Sequence, residues 1–139
     1  WAVHWVHRAP GVLPRLRAEL DALGPEPDPE AYARAPYLAA VCDETMRRMP
    51  VVPNVGRYAK RSFTLMGRRL PPGTAIAPCI YLTHLRPDIY PEPREFRPER
   101  FLERSFSPFE YLPFGGGARR CLGAAFALFE MRIALGVLL

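Results

Sequence analysis

The sequence predicts a mainly α chain with a small β region, and three observations carry that reading. Apolar residues recur at helical spacing in three stretches, 12–23, 37–49 and 122–139. Between 51 and 79 the pattern switches to short strand-like runs divided by turn residues. The 17 prolines among 139 residues, about 12% against a usual ~5%, keep helices short and break up a long stretch before the last one. A chain of this length has room for one domain.

In order, Trp1 to Arg8 reads as the end of a helix, stopped by Pro10 and Gly11. A helix from Val12 to Leu23 places Leu13, Leu16, Leu20 and Leu23 on one face, and Gly24 ends it. Residues 24–29 form a proline-rich loop, followed by a short acidic stretch with no assigned element. Tyr37 to Met49 is the next helix, with an apolar stripe of Leu38, Val41, Cys42, Thr45 and Met49, and Pro50 terminates it. Glu44 and Arg47 lie three apart on it and share a face.

Strands are expected at Arg57 to Ala59, Phe63 to Met66 and Thr74 to Cys79, with turns at Gly67 and at Pro71-Pro72-Gly73. Ile80 to Leu85 suits one helical turn. Pro87, Pro91, Pro93, Pro98, Pro108 and Pro113 then forbid regular structure, while Tyr90, Phe96, Phe101, Phe106, Phe109 and Tyr111 supply the apolar surface of an ordered meander rather than a linker. Leu122 to Leu139 is apolar enough to predict a helix buried almost all round.

Charge and cysteine usage exclude several classes. Lys plus Arg is 19 against 14 acids, a formal charge of +5, and Lys60 is the only lysine. The arginines are scattered, without the basic and aromatic interleaving of a nucleic-acid module, so no nucleic-acid partner is expected. Cys42, Cys79 and Cys121 form no C-x-x-C pair, which argues against a disulfide framework or a zinc ribbon and for a reducing compartment. Cys42, on its helix stripe, and Cys79, at a strand end, read as core residues. No apolar run approaches the roughly 18 to 20 residues that span a bilayer, and no signal peptide opens the chain. The start at Trp1 and the uncapped final helix suggest an excerpt from a longer protein.

The chemistry concentrates in Phe114-Gly115-Gly116-Gly117-Ala118-Arg119-Arg120-Cys121-Leu122-Gly123, directly before the last helix. Consecutive glycines allow a tight backbone and close approach to something large. Cys121 stands before a helix N-terminus beside two arginines, a setting that favours an anionic sulfur. The residues alone leave several uses open: a nucleophile, a phosphate-cradling loop, a metal or haem ligand, or a purely structural turn. The phosphate use lacks the G-x-x-x-x-G-K-[S/T] order. The nucleophile lacks an assigned base among His4, His7 and His84.

The loop resembles the F-x-x-G-x-R-x-C-x-G signature of the cytochrome P450 family of haem-thiolate enzymes at Phe114, Gly117, Arg119, Cys121 and Gly123. Glu44-Thr45-Met46-Arg47 is similar to the family's E-x-x-R helix motif, and Phe96-Arg97-Pro98-Glu99-Arg100-Phe101 to its F-x-P-x-R-F meander motif, in the family's order. The first of these is weak alone; the three in order are specific.

The resemblance covers the whole chain and implies the C-terminal third of that fold: the end of the central helix, the E-x-x-R helix, short β strands, the meander, the Cys loop and the proximal helix. Residues 1–139 would then be a partial domain lacking its N-terminal two thirds. It implies haem b (iron protoporphyrin IX) as cofactor, with Cys121 as the axial thiolate, a ligand that pushes electron density to favour O–O cleavage. Phe114 would pack beside the sulfur, and the loop with Gly115, Gly117 and Gly123 would aim backbone N–H groups at it. Arg119 and Arg57 would meet the two haem propionates. Glu44, Arg47 and Arg100 would form a buried structural triad, against the alternative of a solvated pair worth a few tenths of a kcal/mol. His84 and Arg120 receive no role.

Val51, Val52 and Val55 match a segment that turns toward the substrate, with simple strand packing as the equal alternative. Arg94, Arg97, Arg104 and Arg120 are read either as a basic face for an acidic ferredoxin or reductase or as ordinary solvated surface. The implied activity of the parent protein is a monooxygenase that inserts one atom of O2 into a small hydrophobic organic substrate. The alternatives are a haem-thiolate peroxide isomerase or dehydratase that does not use O2, and a truncated non-catalytic fragment. The acid and threonine pair that handles protons in the family would lie upstream of Trp1, so no catalytic residue is assigned here and the segment alone is expected to be inactive. The Arg-, Ala- and Pro-rich bias suggests a soluble, cytoplasmic bacterial enzyme, with a family N-terminal anchor ahead of Trp1 as the other arrangement.

Overall fold

The computed structural model describes all 139 residues. Seven α-helices run as α1 (Ala2–Arg8), α2 (Val12–Asp21), α3 (Pro29–Arg34), α4 (Pro36–Arg48), α5 (Ile80–Thr83), α6 (Arg100–Glu103) and α7 (Ala124–Leu138). Four strands, β1 (Arg57–Tyr58), β2 (Phe63–Leu65), β3 (Arg68–Leu70) and β4 (Ala75–Ile76), lie between α4 and α5, and one turn of 3-10 helix, Gly117–Arg119, precedes α7. The mainly helical class with a small β region is as expected.

α4 is the centre. α1, α2, α3, α6 and α7 all pack against it, and Tyr37, Leu38, Ala40, Val41, Cys42, Glu44, Thr45, Met46 and Arg47 are buried along it. The apolar core joins this helix to Val6 of α1, to Val12, Leu16 and Leu20 of α2, and to Leu135 of α7. Ala35 at the α4 N-cap offers no side-chain acceptor. Glu19 of α2 supplies one instead: its two carboxylate oxygens accept from the N–H groups of Tyr37 and Leu38, each at 2.8 Å. A carboxylate at a helix N-terminus satisfies orphan donors and complements the helix dipole, so this contact also sets how α2 lies on α4.

Besides α6, a single helical turn inside the stretch expected to be irregular, and the 3-10 turn at Gly117–Arg119, two elements escaped the sequence reading. α3 fills the acidic stretch, with Asp28 as N-cap accepting from Ala31 N–H at 2.7 Å and Pro29 in the first turn. β3 pairs with β2 in register Phe63↔Leu70, Thr64↔Arg69 and Leu65↔Arg68. Met66, expected as the last strand residue, belongs to the turn: it and Gly67 have φ of 50° and 77°, the pair of positive values that a tight two-residue hairpin turn demands. β1 pairs with β4, and an Asn54↔Cys79 bridge extends that ladder.

Three further expectations need correction. α7 is not buried all round: Ala124, Leu135 and Gly136 are buried, whereas Phe126, Val137 and Leu138 are 69%, 66% and 72% exposed. Only α3 and α4 pack on it to any extent, and they cover one side. Cys79 is half-buried rather than core, because it sits at the edge of a two-stranded sheet. Val51 and Val52 do not pack in a strand; they are 90% and 51% exposed, and Val55 is half-buried with its N–H bonded to Pro78 C=O.

The meander is ordered, as expected. Tyr90 is fully buried and stacks on Phe106, and Phe101 meets Phe106 and Tyr111. Tyr90 Oη also donates to Glu110 C=O at 3.0 Å, which ties the two ends of the segment together.

Candidate functional site

Glu44, Arg47 and Arg100 meet in the interior. The Glu44 and Arg47 side chains are fully buried and Arg100 nearly so. Helical spacing brings the first two together, and Arg47 Nε and Nη2 donate to the two Glu44 oxygens at 2.6 and 2.8 Å. The remaining Arg47 donors reach three backbone carbonyls: Nη1 to His84 at 2.7 Å and Pro93 at 2.9 Å, and Nη2 to Glu95 at 3.1 Å. All five N–H groups of this guanidinium are thus used, which is what allows a charge to sit in the core.

Arg100 Nε donates to Glu44 Oε1 at 3.3 Å and its Nη1 to Pro91 C=O at 3.1 Å, while its buried Nη2 has no protein acceptor. Arg97 N–H adds a fourth bond to the carboxylate at 2.9 Å. One anionic group therefore gathers α4, α6 and the meander. The solvated-pair alternative does not describe this geometry.

A second cluster lies beside it. His84 is fully buried at the C-terminal end of α5, stacked on Tyr111 and edge-on to Tyr90. Its Nδ1 is 3.1 Å from Arg47 C=O, and its Nε2 accepts from Leu112 N–H at 3.0 Å. Burial pushes its pKa down to about 4. Tyr111 Oη donates to Asp43 Oδ1 at 2.9 Å, and burial raises the pKa of both groups.

The Gly-rich loop lies at the surface. Gly115 and Gly117 adopt φ of 72° and 65°, a left-handed conformation that side-chain-bearing residues resist. Cys121 N–H donates to Phe114 C=O at 3.0 Å and closes the loop. Cys121 is a free, exposed cysteine two residues before the α7 N-cap Gly123, and Leu122 beside it is fully exposed. A Cβ built at Gly115, Gly116 or Gly117 meets nothing within 4 Å, so the backbone there presents an uncovered surface. Phe114 is half-buried.

Arg57 and Arg119 are exposed and form no ion pair; Arg57 makes only a local bond to Gly56 C=O. Of the arginines read as a basic face, Arg97 pairs with Glu103 and Arg104 with Glu110, so half of that charge is neutralised within the chain. No group of three or more His, Cys, Asp or Glu is arranged to hold a metal ion. A lone thiol on an uncovered glycine loop suits a metal that arrives already held by a flat macrocycle, and the two unpaired guanidinium groups suit that macrocycle's carboxylates.

Comparison with known proteins agrees with these motifs. The family model for Cytochrome P450 matches residues 1–139. The chain belongs to the cytochrome P450 family. A Mycobacterium tuberculosis relative described as cytochrome P450 135B1 is 43% identical over 135 residues, covering 97% of this chain and 28% of the relative. Cytochrome P450 3A29 of Sus scrofa and cytochrome P450 3A13 of Mus musculus are each 39% identical over 132 residues, covering 91% of this chain and 26% of theirs. The chain thus spans about a quarter of the length of these cytochrome P450 relatives. The family is one of haem proteins, and the uncovered loop, free thiol and unpaired arginines fit that group. No helix is long and apolar enough to cross a membrane.

His84 is the buried group to which the sequence reading gave no role. Its signal is a histidine four residues after Ile80, in Ile80-Tyr81-Leu82-Thr83-His84-Leu85, which local pattern alone does not distinguish from a surface residue.

Proposed function

We propose that this chain is the haem-binding C-terminal segment of a haem-thiolate monooxygenase. The observation that carries the reading is the exposed, unpaired Cys121 closing a glycine-rich loop whose backbone is uncovered. When bound, haem b supplies the activation of O2 and the insertion of one oxygen atom into an organic substrate.

The chain's own residues do the rest. Cys121 Sγ would hold the haem iron, and Gly115, Gly117 and Gly123 would keep the backbone thin enough for close approach. Phe114 packs against the sulfur side. Arg119 and Arg57 anchor the propionates through charge-assisted bonds. Leu122 and Phe126, exposed beside the thiol and one helical turn on, supply apolar surface for the ring and exclude water from the sulfur. Glu44, Arg47 and Arg100 brace the scaffold beneath the loop and touch no reactant. Val51, Val52 and Val55 are assigned to the substrate side, and the exposed Val51 and Val52 support that choice over strand packing. Electrons come from a ferredoxin or reductase; with Arg97 and Arg104 already paired, Arg94 and Arg120 are the cations left for an acidic partner.

The test is the absorption spectrum of the reduced, carbon monoxide-bound intact protein beside its Cys121→Ser variant. A strongly red-shifted Soret band that disappears in the variant is expected. Absence of that band in the wild type would overturn the assignment.

A further inference from the structure

Arg47 and His84 are joined twice. The Arg47 side chain donates to His84 C=O at 2.7 Å, and the His84 ring returns a bond to Arg47 C=O at 3.1 Å. A carbonyl only accepts, so Nδ1 carries the proton. Leu112 N–H donates to Nε2 at 3.0 Å, so Nε2 is bare. The ring is therefore neutral and in one tautomer, fixed from both sides by backbone. The charged and titratable groups around it are Arg47 from α4 and Tyr90 and Tyr111 from the meander, none of which offers an anion to stabilise an imidazolium.

Leu112 stands two residues before Phe114, and Pro113 between them has no N–H. The Leu112 N–H is thus the last backbone donor before the loop. Leu112 C=O accepts from Gly115 N–H at 2.9 Å, and Phe114 C=O accepts from Cys121 N–H at 3.0 Å. A continuous series of short contacts runs from the Glu44 carboxylate through Arg47, His84 and Leu112 to the turn that carries Cys121.

We propose that His84 is a positioning residue for the Cys121 loop, holding the loop's entry point by accepting Leu112 N–H at Nε2, while the Nδ1 bond to Arg47 C=O sets the tautomer that leaves Nε2 bare. The ligand role of Cys121 is the reading on which its consequence for haem rests. The anchoring of the loop itself does not depend on haem.

The test compares His84→Gln, His84→Asn and His84→Leu in the intact protein. Gln places an oxygen near the position of Nε2 and keeps an acceptor for Leu112. Asn reaches only the position of Nδ1, and Leu reaches neither. The first readout is the hydrogen-exchange rate of the Leu112 amide relative to the Val41 amide in α4, which reports loop anchoring separately from overall stability. The second is the share of the reduced carbon monoxide complex that keeps the red-shifted Soret band.

The ratio should stay within about threefold of wild type in His84→Gln and rise about tenfold or more in His84→Asn and His84→Leu, with loss of the Soret band in the same order. An unchanged ratio in all three variants, or an equal rise in all three, would overturn the proposal and leave His84 as a core filler. If wild type itself has no red-shifted band, the Cys121 assignment fails, and the exchange order alone decides the role of His84.

Discussion

Glu44 and Arg47 face each other as a bidentate ion pair, 2.6 and 2.8 Å apart at the two contacts, with neither side chain exposed to solvent. A charge in such a place is tolerated only while each of its bonds is made. Glu44→Gln removes the anion from between Arg47 and Arg100 and is expected to cost about 3 to 5 kcal/mol. Arg47→Lys is expected to be nearly as damaging, since an ammonium has three donors and no planar fork for a carboxylate. Urea unfolding of the intact protein measures both. A loss below about 1 kcal/mol for either would mean that the cluster is solvated and behaves as a surface pair.

Arg57 and Arg119 carry the second prediction, because both are exposed and lack an acid partner within the chain. Replacing either by Ala should leave the unfolding free energy within about 0.5 kcal/mol of wild type, as for an unremarkable surface change. Haem transfer to an excess of an apo-globin acceptor should at the same time accelerate by about tenfold or more, the effect of losing one charge-assisted bond. Equal transfer rates would remove both residues from the propionate assignment.

Gly136 on α7 lies against the Tyr32 ring of α3, and a Cβ built there would overlap it, with Cε1 at 2.8 Å. Gly136→Ala should therefore destabilise by about 1 to 3 kcal/mol, despite the better helix propensity of alanine. Tyr32→Ala combined with Gly136→Ala should recover part of that loss. A double-mutant cycle by thermal or urea unfolding reads the coupling, and additive losses would show that the ring moves aside.

His84 supplies a pH dependence whose sign follows from burial. Its pKa falls from 6.5 to about 4 on folding, so between those values the unfolded chain binds the extra proton. Stability is full above about pH 6.5 and is lost as the pH falls toward 4, by an amount on the order of 3 kcal/mol. Asp43 acts in the opposite sense, since burial raises its pKa and the folded state, which disfavours its ionised form, loses stability as the pH rises. The clean measurement is the difference between wild type and His84→Gln across pH 4 to 7. A wild-type slope indistinguishable from the variant's would contradict a neutral buried ring.

Much of the helical frame was legible because its signals are local. Apolar spacing marked α2 and α4, Pro10 and Pro50 marked ends, and three motifs in order named the family. One local signal was passed over, and one element had none. Asp28-Pro29 is an N-cap followed by a first-turn proline, and it announced α3. Arg68-Arg69-Leu70 has no apolar alternation, and its strand character comes only from pairing with β2.

The sequence by itself determined the principal helices, the Glu44 and Arg47 spacing, the glycine loop and the family. Tertiary structure decided which of those groups are buried. Arg47 becomes a core residue through the carbonyls of His84, Pro93 and Glu95, drawn from 37 to 48 residues further along the chain. The same holds for α7, whose apolar sequence states a demand for partners but not how many this chain provides. The reason is physical: a helix or turn is stabilised by neighbours a few residues away, while a buried charge or a neutral histidine is stable only when all its distant partners arrive together.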